Sequence, residues 1–295
     1  FGELLGLWAV HEWRALGQPS PLTLAEVGPG RGALISDAMR AAGTVAEFTA
    51  AADLHLVEPS ETLRPVIADR LTPQTPTFHN SIDKLPDRPL IMIANEWLDC
   101  LPARQFIEHD GEWHERVLGL NEDGDLAWGL AADAARAELA TGAERALEIQ
   151  PGLEMLVGEL TERLRAQQGR ALIIDYGAGA GENPPGDSLR AYREGQQVDP
   201  LVEPGACDLT VDVDFPRLKR LAEAAGLSVH GPVAQGPFLL ALGAEARLNQ
   251  LAKAQPDKAQ ALYAGVRKLV DPAEMGARFK VICLSSPGLP DPAGF

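Results

Sequence analysis

The chain has 295 residues, 45% of them hydrophobic, and a formal net charge of −16 at pH 7. That length allows one large α/β domain with insertions or two small domains, with apolar material enough for a full core, and the acidic balance argues against a nucleic-acid or anionic-membrane surface. Cys100, Cys207 and Cys283 are scattered, with no C-x-x-C and no histidine ligand spacing, so neither a metal site nor a disulfide framework is expected and the compartment reads as reducing.

Residues 1–16 place Phe1, Leu4, Leu5, Trp8 and Leu16 on one face of an amphipathic helix. The stretch Leu22 to Gly32 follows. Its apolar run to Val27 predicts a buried parallel strand, and residues 33–42 predict a helix stopped by Gly43. Between them Gly28, Gly30 and Gly32 let backbone approach a ligand that a Cβ would exclude. Two ligand classes fit this turn. Gly28, Gly30 and Ala33 satisfy the G-x-G-x-x-A dinucleotide fingerprint, which would make a nicotinamide-dependent oxidoreductase. The other class is S-adenosylmethionine, and Glu26 favours it. A carboxylate two residues before the first glycine would repel a pyrophosphate on the helix N-terminus, whereas it suits an ammonium and a sulfonium. The next strand pattern, residues 54–57, ends at Glu58, an acid placed for ribose hydroxyls. Glu58 lies 26 residues beyond Gly32, against roughly 20 in the dinucleotide pattern.

Ser60 is a suitable N-cap for a helix reaching residue 71. Residues 77–80 predict a short strand, and the loop Ser81-Ile82-Asp83 falls where an adenine would lie. Residues 89–95 predict the clearest buried strand, ending in Asn95-Glu96-Trp97-Leu98-Asp99. In an open α/β sheet these residues share the ligand rim with Glu26 and Glu58. If the chain turns helical after Asn95, Glu96 and Asp99 share a face at i and i+3.

Residues 103–118 predict a hairpin around Asp110-Gly111, with a second turn at 121–125. Residues 131–148 are alanine-rich and predict a helix, and Pro151 opens another that runs to about 168. The block 103–168 thus reads as an inserted substrate or partner subdomain, with 1–102 and 169–295 forming the cofactor domain. Residues 171–177 predict a strand carrying Asp175 and Tyr176 to the same rim. Residues 178–206 are rich in Gly and Pro and read as a lid or partner loop. Asp214 caps a helix that ends at Gly226. Residues 227–229 and 238–242 look like strands, 244–253 and 257–269 like helices, and 279–284 like a final edge strand.

Taken together, Glu26 to Gly32, Val57 to Ser60, Asn95-Glu96 with Asp99, Leu101-Pro102, Arg104-Gln105-Phe106, Asp175-Tyr176-Gly177, Asp208-Leu209-Thr210, Val213-Asp214-Phe215, Gln235-Gly236 and Met275-Gly276 resemble the MidA-like methyltransferases, in order and almost end to end. The resemblance implies a class I S-adenosylmethionine-dependent methyltransferase: a mostly parallel Rossmann-like sheet with an antiparallel edge strand and a helix and hairpin insertion. It implies protein arginine N-methylation, which the mitochondrial members perform on a respiratory complex I subunit, and a possible homodimer. The compartment would be the cytoplasm in a bacterium or the mitochondrial matrix in a eukaryote. The cofactor set would be Glu26, Gly28, Pro29, Gly30, Gly32, Glu58, Ser60, Ser81, Ile82 and Asn95. Glu96 and Asp99 would grip the guanidinium of a basic or arginine-containing protein segment, with Asp175 and Tyr176 behind them. A non-catalytic assembly protein that keeps the pocket is the alternative. On this resemblance the chain would enter the pattern at Phe1-Gly2-Glu3-Leu4, and the family's upstream segment would be absent. The chain also has Trp97-Leu98 where the family has two aromatics, and Gly195 and Asp212 where it has histidines.

Overall fold

A computed structural model describes residues 1–134, 146–182 and 186–295. Helix α1 (Gly2–Ala15) precedes β1 (Leu22–Val27), α2 (Ala33–Ala42), α3 (Ala46–Ala51), β2 (Ala52–Val57), α4 (Leu63–Leu71), β3 (Thr77–His79) and β4 (Leu90–Asn95). Strands β5 (Arg104–His109), β6 (Glu112–Leu120), β7 (Leu126–Ala134) and β8 (Ala146–Ile149) follow, and α5 (Gly152–Gln167) returns to β9 (Gly169–Ala178). Next come β10 (Arg190–Arg193), β11 (Gln196–Val198), β12 (Asp208–Thr210), β13 (Val213–Asp214) and α6 (Phe215–Ala224). The chain continues through β14 (Ser228–Ala234), α7 (Gln235–Ala241), α8 (Ala244–Ala254), α9 (Ala259–Val270), α10 (Met275–Arg278) and β15 (Phe279–Ser285).

The main sheet runs β3-β2-β1-β4-β9-β15-β14, and β13 pairs with β9. Its strands are parallel except for β15, which is antiparallel to β9 and β14. Both faces are covered, which is why β4 is apolar at every position from Leu90 to Ala94. Ile91 and Ile93 join the cluster of α1, α2 and α3, while Leu90, Met92 and Ala94 join that of α5 and α6. The inserted strands form a separate antiparallel sheet, β7-β6-β5-β8, and a third sheet runs β11-β10-β12.

Several expectations are corrected. Helix α4 begins at Leu63, with Thr62 rather than Ser60 as its N-cap. Residues 131–134 and 146–148 are strand, the latter paired with β5, not helix; the rest of the expected helix lies outside the described residues. Alanine's helix preference is a weak prior that sheet pairing overrides. The Gly/Pro-rich block contains the paired strands β10 and β11. Residues 238–242 belong largely to α7, because a five-residue apolar run does not distinguish helix from strand. Strand β14 extends past Gly231-Pro232 through a register shift between His230 and Val233 and forms the edge, with β15 one place inside it. Helix α3 had no counterpart in the sequence reading, since six residues are too few for a periodic signal.

A buried ion pair ties the ends of the chain together. Glu12 of α1 and Arg170 of β9 are both fully buried and meet at 3.1 Å. Glu12 also accepts the backbone N–H of Ala293 at 3.0 Å, and Arg170 donates to the Pro290 carbonyl. Removing one partner of such a pair leaves an uncompensated buried charge. Glu12→Ala should therefore cost about 3–5 kcal/mol in a urea melt, and a loss below about 1 kcal/mol would mean that the pair is not structural.

Candidate active site

Strand order reverses at β1, which has β2 on one side and β4 on the other. The carboxyl ends of β1 and β4 therefore bound the crevice where α/β sheets receive ligands. A cavity of about 650 Å³ opens there, lined by Gly28, Val57, Glu58, Pro59, Asn80, Ser81, Ile82 and Trp97, and on its far side by Cys100, Leu101, Pro102, Pro151, Gly152, Met155, Leu156 and Glu159. Of the expected cofactor residues, Gly28, Glu58, Ser81 and Ile82 are on its wall. Glu26, Pro29, Gly30, Gly32, Ser60 and Asn95 are not.

Glu26 sits beneath the glycine turn, 3% exposed. The backbone N–H of Ile35, in the first turn of α2, faces its carboxylate, but Oε2 has no hydrogen-bond partner among the described residues. Burial pushes its carboxyl up to about 8. A buried acid with a free oxygen under the turn is held neutral by desolvation and regains its charge when a cation lies beside it, which makes it a suitable floor for a cation. The turn above it has room. Gly28 has φ +67°, and a Cβ there would meet Trp97 Cδ1 at 2.9 Å; Gly30 has φ +55° and open space around it. The residues present thus fit a cationic nucleoside ligand.

Glu58 is buried at the end of β2. Its Oε1 accepts the Ser60 N–H at 2.8 Å, so Ser60 orients the acid instead of lining the cavity. Arg64 braces the same rim, donating to the Glu58 carbonyl at 2.8 Å and to Asn80 Oδ1. Ile82 is buried against the cavity, and the Ser81 hydroxyl donates to Asp83.

Beyond β4 the backbone is shaped by Asp175 on the adjacent strand. Asp175 is fully buried. Its Oδ2 accepts the N–H groups of Trp97, Leu98 and Asp99 at 3.1, 2.9 and 3.1 Å, and its Oδ1 accepts that of Tyr176 at 2.9 Å. Its carboxyl is raised by burial and by the charge of Asp99. Both oxygens are engaged and Asp175 is not on the cavity wall, so it acts as a scaffold and not as a grip on substrate. Glu96 has φ +50° and lies outside the single 3₁₀ turn Leu98–Cys100. It therefore does not share a helix face with Asp99, contrary to the expectation. Glu96 is exposed and is not on the cavity wall; it accepts from Asn95 Nδ2 at 3.2 Å. The surrounding walls still withhold enough solvent to raise its carboxyl, and nearby Asp99 adds to the effect.

Asp99 Oδ2 accepts the Tyr176 hydroxyl at 2.5 Å and the Thr210 hydroxyl at 2.8 Å. Burial and the bond to Asp99 raise the Tyr176 phenol, so it remains a donor. Asp99 faces a second cavity, of about 470 Å³, which shares Cys100, Leu101 and Pro102 with the first. Sequence reasoning assigned no role to Thr210, Leu101 or Pro102, although all three lie in runs that carry the family resemblance. Met155 and Glu159 were missed outright, because nothing in the periodicity of α5 marks its first turns as a cavity wall.

A family model described as "putative S-adenosyl-L-methionine-dependent methyltransferase" matches residues 4–233. The chain belongs to this methyltransferase family. A Drosophila melanogaster protein named protein arginine methyltransferase NDUFAF7 homolog, mitochondrial, is 35% identical, covering 96% of this chain and 72% of that protein. The human protein arginine methyltransferase NDUFAF7 is 30% identical, covering 96% and 70%. Among solved structures, an uncharacterized Burkholderia thailandensis protein superposes with a TM-score of 0.86 at 24% identity, covering all of this chain and 80% of that one. Another from the same organism, bound to S-adenosyl-homocysteine, gives 0.84 at 24% identity, covering 100% and 78%. These two show the fold. The methyltransferase family supplies the chemistry, so S-adenosylmethionine is the cofactor and the nicotinamide reading is set aside. Among the described residues no helix is long and apolar enough to cross a membrane.

Burial of Glu26 has a pH signature. Its carboxyl ordinarily titrates at 4.5 and is pushed up to about 8 in the fold. Between those values the folded chain holds a proton that the unfolded chain lacks, so stability from this group is complete below 4.5 and is lost as pH rises through 8. In cofactor-free protein, Glu26→Gln should lose less melting temperature between about pH 5 and 9 than the parent does. Parallel curves from scanning calorimetry would contradict the assignment.

Proposed function

We propose that this methyltransferase modifies a nitrogen of an arginine side chain in a protein substrate. The observation that carries the reading is the placement of Asp99. Asp99 lines a second cavity that abuts the donor cavity along Cys100, Leu101 and Pro102. The names of the Drosophila and human relatives support the same substrate class. A net charge of −16 would draw a basic partner surface toward the chain. We expect the cytoplasm as the compartment in a bacterium and the mitochondrial matrix in a eukaryote.

A guanidinium stays charged, with a pKa above about 12, and is a weak nucleophile until it is oriented and its charge is drawn to one side. S-adenosylmethionine supplies a methyl on a sulfonium; each turnover forms an N–C bond, breaks the S–C bond and frees one proton. Glu26 would face the amino-acid end of the donor, Gly28 would give it backbone room, Glu58 would take the ribose hydroxyls, and Ser81 with Ile82 would border the adenine. Asp99 would accept guanidinium N–H groups through Oδ1, because Oδ2 is occupied by Tyr176 and Thr210. Glu96, which lines neither cavity, would add negative charge outside the guanidinium pocket.

Two substitutions separate these roles. Glu58→Ala should weaken S-adenosyl-homocysteine binding by about 10- to 100-fold in calorimetry, the loss of a charged hydrogen bond. Asp99→Asn should keep that affinity within about twofold while cutting methyl transfer by about 100-fold or more. The reaction itself is tested with radiolabelled donor and a lysate of the source cells. We expect label on arginine nitrogen by mass spectrometry, and label confined to other residue types would refute the proposal.

A further inference from the structure

The second cavity has a composition of its own. Its walls are mainly apolar, formed by Leu101, Pro102, Leu118, Leu189, Leu209 and Val211. Among the described residues it holds one carboxylate, Asp99, and one cation, Arg116. The Arg116 guanidinium lies 4.2 Å from the centre of the Trp128 ring, and its Nη1 donates to Gln105 Oε1 and Asp187 Oδ1, each at 3.3 Å. Gln105 is fixed in turn, donating to Glu148 at 2.8 Å and to Asp187 at 3.1 Å. Arg116 is therefore built into the wall. Leu118 and Leu209, 54% and 53% exposed, form the lips. The volume of about 470 Å³ is in the ligand-pocket range of roughly 300–1,000 Å³.

We propose that this cavity receives a single arginine set among apolar neighbours, and that it discriminates against arginine-rich segments. The inference rests on the arginine methyltransferase reading above and names the substrate class within it. One carboxylate can neutralise one incoming guanidinium. A second or third would meet Arg116 and apolar walls, with desolvation uncompensated. Apolar residues flanking the target instead cover Leu118 and Leu209 and gain from burial. The overall acidity of the chain steers a basic surface toward it, and the cavity then selects for isolation of the target.

Three nine-residue peptides test this by calorimetry on the full chain loaded with S-adenosyl-homocysteine. One has a central arginine flanked by leucine and alanine, one has citrulline in its place, and one has three arginines spaced by glycine. The first should bind at least tenfold more tightly than either of the others. Leu209→Trp, at an exposed lip, should weaken that peptide at least tenfold while leaving S-adenosyl-homocysteine affinity within twofold; Leu118→Trp should do the same. Equal or tighter binding of the three-arginine peptide, indifference to both tryptophan variants, or no binding of the first peptide would overturn the proposal. If arginine in lysate proteins is still labelled when these peptide results fail, the cavity assignment falls and the arginine reaction stands. Absence of arginine label altogether removes the reaction itself.

Discussion

One carboxylate oxygen of Asp175 holds the site in shape. By accepting three consecutive backbone N–H groups, from Trp97 to Asp99, it turns the chain sharply after β4. Three successive N–H groups converging on one anion form the kind of concave nest that binds an external ion elsewhere; here the anion is internal. The turn sends Trp97 toward Gly28 at the donor cavity and Asp99 toward the second cavity. The adjacent strand β9 carries Asp175 and Tyr176, so the same two residues fix the backbone and orient Asp99. Without that clamp, the segment shared by both cavities would have no reason to adopt one course.

The acids divide by environment. Glu26 is buried without a full set of partners and Glu58 is buried with a backbone N–H to hold it, while Asp99 is held by two hydroxyls and Glu96 is exposed. Chemically similar carboxylates can thus serve different purposes: a floor for positive charge, a ribose contact, a guanidinium contact and a charge outside the pocket. Separation of roles by burial and bonding is a general way to obtain several functions from one residue type.

Much of this was legible in the sequence. The strand, glycine turn and helix of residues 22–42, the apolar run ending at Asn95 and the β5–β6 hairpin all follow from periodicity and turn chemistry. The acids at strand ends were legible because strand ends face the ligand in this topology. What was not legible depended on tertiary contact. Asp175 looked like a rim acid, and only the three N–H groups aimed at it reveal a scaffold. Ser60 looked like a helix cap and instead orients Glu58. The left-handed backbone of Glu96 could not be foreseen from a non-glycine residue. Thr210 is 111 residues from Asp99 in sequence and bonds to it only because β12 is brought there by the third sheet.

The most direct measurement is a crystal structure of the chain soaked with S-adenosyl-homocysteine. We expect density along Gly28, Glu58 and Ile82, with the amino-acid end over Glu26 and the sulfur turned toward the shared wall of Cys100, Leu101 and Pro102. Density lying instead between Asp99 and Trp128, with the crevice beside Gly28 empty, would contradict the assignment of the two cavities.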